Sequence, residues 1–179
     1  MSVRLSLPLL CTVIMAALTL LSGCASSPAT ARFTQELAPT SRVASADTVK
    51  ATVAAQSNLD VLEVERTRLS QRIEERISAK KAANQHNPAR EVLVEVNLTR
   101  YDKGNAFARA MLAGLGQIHI EGHVSLWQLP EHTALGGFDI KKTFAWGGIY
   151  GASTTIEDIE RAFADGIASA VTGTEEDAK

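Results

Sequence analysis

The stretch EVLVEVNLTR, residues 91 to 100, constrains this chain more than any other: Val92, Val94, Val96 and Leu98 alternate strictly, with Glu95 and Asn97 between them. Successive side chains of an extended chain point to opposite sides, so one side of this segment is apolar and the other is not. A strand of that kind belongs to a sheet with one covered face, and the chain must also supply whatever covers it. Two later segments repeat the pattern. Over about 117 to 129, Ile118, Ile120, Val124 and Leu126 share one face, and His119, Glu121, His123, Ser125 and Trp127 share the other. Gly122 interrupts this run and predicts a bulge. Over about 138 to 146, Phe138, Ile140, Phe144 and Trp146 form an apolar side that Lys142 breaks with a charge, which argues against its burial. PEHTALGG, residues 130 to 137, supplies the turn between these two strands. Val49, Ala51 and Val53 alternate with Lys50 and Thr52 and predict a short first strand.

Two segments have helical spacing. Leu59, Leu62, Leu69, Ile73 and Ile77 predict a helix over about 58 to 83, opened by Ser57 with Asp60 as a capping box. Lys80 and Lys81 fall in its last turn, where the helix dipole favours cations, and its other charges read as a solvated face. Pro88 forbids its continuation. Ile156, Ile159, Phe163, Ile167 and Val171 predict a last helix, opened by Thr155 with Asp158 and stopped at Gly173. The order β-α-β-β-β-α predicts an α+β fold. It is a two-layer sandwich in which two amphipathic helices cover one face of a three- to four-stranded, mainly antiparallel sheet.

The N-terminus sets the compartment. Arg4 precedes a mostly apolar run from residue 5 to 21, short of the ~20 residues a spanning helix needs, and small residues follow it. Leu21-Ser22-Gly23-Cys24 resembles the bacterial lipobox. The resemblance implies a signal peptide over 1–23, cleavage before Cys24, and acylation of that cysteine. Several acyl chains anchor a protein stably where one does not. Ala25 and Ser26 follow the cysteine, and by resemblance to sorted lipoproteins of Gram-negative bacteria they favour the outer membrane, with the domain facing the periplasm. Residues 24–47, rich in Ser, Thr, Ala and Pro, read as lipidated cysteine and flexible tether, which leaves 48–179 as a single α+β domain. Only two cysteines occur, Cys11 and Cys24, so the domain has no thiol for a disulfide, a zinc cluster or a nucleophile. A net charge of −2 argues against a nucleic-acid partner.

The segment YDKGNAFARAMLAGLGQ, 101 to 117, holds Gly104, Gly114 and Gly116 and, in its middle, Arg109. Three readings stand for it: a crossover helix over 105 to 113, ended by Gly114, with Arg109 capping a carbonyl or pairing with an acid; a partner or self-assembly contact; and a cradle for a small anion. The glycines fit neither phosphate-loop spacing, because no Lys-Ser/Thr follows and GLGQIH opens a strand. The run from Val94 to Leu126 resembles a segment shared by small bacterial lipoproteins of unknown function, in which a strand leads through a Gly-x-x-x-Arg segment and a glycine-rich turn to an alternating strand. Gly104, Arg109, Gly114 and Gly116 carry the match, over about residues 90 to 172. The resemblance implies the α+β fold and the envelope location, and brings no catalytic residue.

His119 and His123 lie ~13 Å apart along a strand, too far to share a metal. Trp127 lies on the outward face, which the N-terminal segment covers in part or a partner occupies. GGIYGAST, 147 to 154, opens a helix and is too common a pattern to mark an anion site. No nucleophile elbow, zinc-protease motif or comparable arrangement occurs. The sequence therefore points to a lipid-anchored, non-enzymatic envelope module that binds or assembles and needs no cofactor or metal. A ring-forming homo-oligomer at the outer membrane and an enzyme acting on an anionic envelope substrate are the alternatives. Gly104, Arg109, Gly114, Gly116 and Trp127 are the expected contacts.

Overall fold

The computed structural model describes residues 28–81, 89–112 and 115–174. The expected signal peptide, Cys24, Gly114 and Pro88 lie outside the described residues. Five strands form one sheet: β1 (Thr30–Gln35), β2 (Thr48–Ala55), β3 (Glu91–Asp102), β4 (Ile118–Leu129) and β5 (Thr133–Phe144). Their spatial order is β1-β5-β4-β3-β2. Four helices accompany them: α1 (Glu63–Lys80), α2 (Ala106–Met111), α3 (Gly148–Ser153) and α4 (Ile156–Thr172). None of the described helices is long and apolar enough to cross a membrane.

The alternating strands do what their pattern requires. Val92, Val94, Val96 and Leu98 of β3, Ile118, Ile120, Val124 and Leu126 of β4, and Phe138, Ile140 and Phe144 of β5 are buried together. Leu69, Ile73 and Ile77 of α1 and Ile159, Phe163, Ile167 and Val171 of α4 close the core from one side. The opposite face stays partly exposed and pairs its polar groups across strands: His123 Nδ1 with Asp139 at 2.9 Å, His119 Nδ1 with Thr143 at 3.1 Å, and Trp127 Nε1–H donating to Glu95 at 2.7 Å.

Several expectations need correction. The sheet has five strands, and β2 runs parallel to β3, with α1 as the crossover between them. A helix between two strands returns the chain to its starting end, which makes the pair parallel. The helix begins at Glu63, not at 58: Glu65 accepts from the Leu62 N–H at 2.9 Å, and Ser57 with Asp60 takes no part. The bulge beside Gly122 falls on β3, between Leu98 and Arg100. β5 starts at Thr133, so most of PEHTALGG is strand, and Trp146 lies beyond its end. Lys142 is buried within the apolar stripe, only 3% exposed.

The charges of α1 are not a solvated face. Arg68, Arg72, Arg76 and Lys80 recur every fourth residue and so share one stripe. That stripe meets α4. Arg68 donates twice to the fully buried Glu160, at 2.8 Å each, and Arg72 once at 2.7 Å. Arg76 lies 3.4 Å from Asp165, and Lys80 donates to the Ser169 hydroxyl at 2.8 Å. The Tyr101 hydroxyl also donates to Glu160, at 2.7 Å, and its pKa rises because burial and the neighbouring carboxylate both disfavour the phenolate.

The larger correction concerns residues 30 to 47, expected as tether. β1 pairs antiparallel with β5 at the sheet edge, with Phe33 against Phe138 at 5.4 Å between ring centroids. This segment extends the sheet rather than covering its outward face. After a 3-10 turn at Pro39–Ser41, Val43 and Ala44 are fully buried, and the Val43 N–H donates to Val171 O at 2.9 Å. Asp47 then fixes the segment to the start of β3. Its carboxylate accepts from the Ala44 N–H at 2.9 Å, the Arg90 N–H at 3.1 Å, and the Arg90 guanidinium at 2.8 and 3.2 Å. Arg90 also donates to Thr40 O and Arg42 O. Polar residues that make such bonds inside a fold look in sequence like those of a tether, because only their partners distinguish them.

Burial raises the Asp47 pKa, but the Arg90 guanidinium and the two backbone N–H donors outweigh it, and the net shift is downward. A carboxyl whose folded pKa is depressed adds stability above its unfolded value and loses it as pH falls through the folded one. Asp47→Asn is therefore expected to destabilise at neutral pH by roughly 3 kcal/mol. The gap between variant and parent should close in acid, once the pH has fallen below the unfolded carboxyl's value and through the depressed folded one. Chemical denaturation at neutral and at acid pH checks both parts.

Candidate functional site

β3 ends, β4 begins and β5 ends at the same end of the sheet, since Asp102 pairs with His119 and Ile118 with Phe144. The two short helices sit there. α2 is opened by Asn105, whose side chain accepts from the Ala108 N–H at 2.9 Å. α3 opens on the glycine pair, with Gly147 as its N-cap and Gly148 as its first residue.

Arg109 joins these pieces. It is only 3% exposed. Its Nε donates to Gly151 O at 2.7 Å, one terminal nitrogen to Gly116 O at 2.7 Å, and the other to Thr154 O at 2.9 Å. The planar guanidinium thus caps three carbonyls on two separate chain segments, each from a different nitrogen of its fixed fork. Burial lowers its pKa from the ordinary arginine value.

The glycines are there because the backbones nearly touch. Gly104 and Gly116 have φ of +63° and +68°. A Cβ on Gly104 would collide with Gly116 O and Gln117 O, and one on Gly116 with Asn105 O. The Asn105 N–H donates to Gly116 O at 3.1 Å. Four residues, Asn105 to Ala108, separate Gly104 from Arg109, one more than in the Gly-x-x-x-Arg segment it resembles. A shallow hollow of about 350 Å³ opens beside the glycines, with Asp102, Asn105, Gln117 and His119 on its wall. Arg109 faces the carbonyls, so the charged side chain lining this hollow is acidic.

Gly104, Arg109 and Gly116 therefore come together. Trp127 does not join them. It lies ~30 Å along β4 from Ile118, stacked on His132 with ring centroids 4.6 Å apart. His119 and His123 hold separate cross-strand partners, and among the described residues no group of His, Cys, Asp and Glu could hold a metal ion. His119 has a lowered pKa, through burial first and nearby Arg100 second.

Sequence reasoning missed the outer surface of this end. Phe107, Met111 and Leu112 of the first short helix, Leu115 after it, and Trp146, Ile149 and Tyr150 around the second are all exposed, Ile149 to 89% and Phe107 to 75%. Six-residue helices give too short a period for an apolar stripe to be read. The legible signal was charge: residues 144 to 156 contain no Asp, Glu, Lys, Arg or His, and 104 to 117 contain only Arg109.

Comparison with known proteins bears on the fold. A family model described as a domain of unknown function, DUF4410, matches residues 26–148. No curated protein matches. Among solved structures, a PelC variant dodecamer from Paraburkholderia phytofirmans is similar at 11% identity and a TM-score of 0.53, covering 80% of this chain and 97% of that one. A second PelC dodecamer from that organism gives 10% identity and a TM-score of 0.49 over the same shares, 80% and 97%. A candidate lipoprotein from Caulobacter crescentus gives 15% and 0.42, over 72% of this chain and 85% of that one.

Arg109→Ala is expected to destabilise the fold by roughly 3 kcal/mol, because three carbonyls lose a charged donor. Arg109→Lys should cost nearly as much, since one nitrogen cannot occupy the three separate positions from which the guanidinium nitrogens donate. Thermal melts of both variants check this, and a lysine variant as stable as the parent would contradict it.

Proposed function

We propose, from the premise that the chain belongs to the DUF4410 family, a domain of unknown function, that it is a lipid-anchored envelope module whose work is assembly rather than catalysis. Acylation at Cys24 holds it at the outer membrane on the periplasmic side, and the domain associates with copies of itself. The observation that carries this reading is the shared fold: a solved structure that resembles the chain across 97% of its own length is a dodecamer. A module that works by packing copies needs a rigid body, and the α1–α4 charge ladder and the Asp47–Arg90 pair give this domain one.

The burial of Arg109 against carbonyls favours the assembly reading over an enzyme that would use this arginine to hold an anionic substrate. The Gly104–Gly116 crossing acts in the same direction, as a scaffold for the apolar end.

The full chain, extracted from cells in mild detergent, should give a native mass that is a fixed multiple of the protomer, whose unprocessed mass is 19.1 kDa. Native mass spectrometry reads this directly. A single protomer mass at every concentration would overturn the proposal.

A further inference from the structure

Seven large apolar side chains share one end of the domain, and the two short helices there carry a single charged residue, the buried Arg109. Monomeric proteins rarely expose contiguous apolar surface of this kind without a partner for it. Trp146 and Tyr150 stand beside Phe107, Met111, Leu112, Leu115 and Ile149. Tryptophan and tyrosine among aliphatic residues are the composition of a membrane–water boundary, where an apolar ring body sits beside a polar tip.

The chain's own route identifies the occupant. β1 runs antiparallel to β5 with Thr30 opposite Lys141, so the chain upstream of Thr30 leads toward Phe144 and the apolar end. Pro28, the first described residue, is four positions from Cys24. Four residues reach at most ~14 Å. An acylated Cys24 therefore enters its membrane next to this end of the sheet. A second copy fits less well. Two such ends packed face to face would trap both anchors between the domains instead of setting them in one bilayer.

We infer that the α2–α3 end seats in the lipid bilayer, with Phe107, Met111, Ile149 and Tyr150 entering the boundary between headgroups and acyl chains and Trp146 at headgroup depth. This inference rests on the anchored reading above but not on self-association. The anchor brings the domain to the membrane, and the apolar end fixes its orientation there.

The experiment uses the full acylated chain carrying Trp127→Phe, which leaves Trp146 as its one tryptophan, in vesicles of phosphatidylethanolamine and phosphatidylglycerol with or without brominated acyl chains. Brominated lipid should quench Trp146 emission by about half or more, and Ile149→Asp with Phe107→Asp should abolish the quenching, since each buried apolar side chain contributes roughly tenfold to partition. Both substituted positions are exposed, so the fold survives the change. Equal emission from the two kinds of vesicle overturns the inference. So does quenching that persists in the double variant, or a blue shift that depends on protein concentration and ignores lipid, which would assign the end to a second copy. Native mass of the same sample reads assembly separately: a quenched protomer would sink the oligomer and keep the seated end.

Discussion

Three hydrogen bonds from one arginine hold together the part of this molecule with the least else to hold it. α2 and α3 have six residues each, too few for a helix to persist alone. Their apolar side chains point outward, so burial does not fix them either. Arg109 supplies what is missing by joining Gly116, Gly151 and Thr154 through a group that water reaches little. Charge-assisted hydrogen bonds of this kind contribute about 1.5–3 kcal/mol each, more than the helices lack. The result is a rigid platform that shows its greasy side chains to the outside. Without the arginine, those side chains would fold back or the segment would fray.

The rest of the domain handles charge in the opposite way. Along α1, four basic side chains turn inward to meet α4, and Glu160 sits at 0% exposure among two arginines and Tyr101. Asp47 and Arg90 do the same for the segment that leads from β1 to β2. Charges in the body pair with one another, while α2 and α3 carry only the buried Arg109. This division gives the domain a direction: a polar, internally braced body and an apolar end on the side where the N-terminal segment arrives.

Much of the sheet was legible, because Val92 to Leu98 and Ile118 to Leu126 carry a period of two that nothing else produces. α4 was legible to its caps: Thr155 and Asp158 form the capping box, and Gly173 closes the helix at φ +70°. The start of α1 was misread because Ser57 and Asp60 imitate a cap, whereas the true one is a glutamate reaching back to a leucine N–H. β1 was missed because an edge strand needs few apolar residues, and Thr30 to Gln35 has only Ala31 and Phe33. Arg109 stood out as a lone charge among glycines, and capping a carbonyl was one of its readings, but the second segment it holds lies some 40 residues away in sequence, at Gly151 and Thr154. Such a bond leaves no local pattern. The ladder on α1 did leave one, a basic residue at every fourth position.

Hydrogen exchange on the native full chain tests the central claim most directly. If Arg109 makes one unit of the two short helices, the amides of Leu112, Gly151 and Thr154, which donate to Ala108, Gly147 and Tyr150, will be protected and will open together. Exchange of these amides at the rate of an unstructured chain, or protection of one helix without the other, would contradict it.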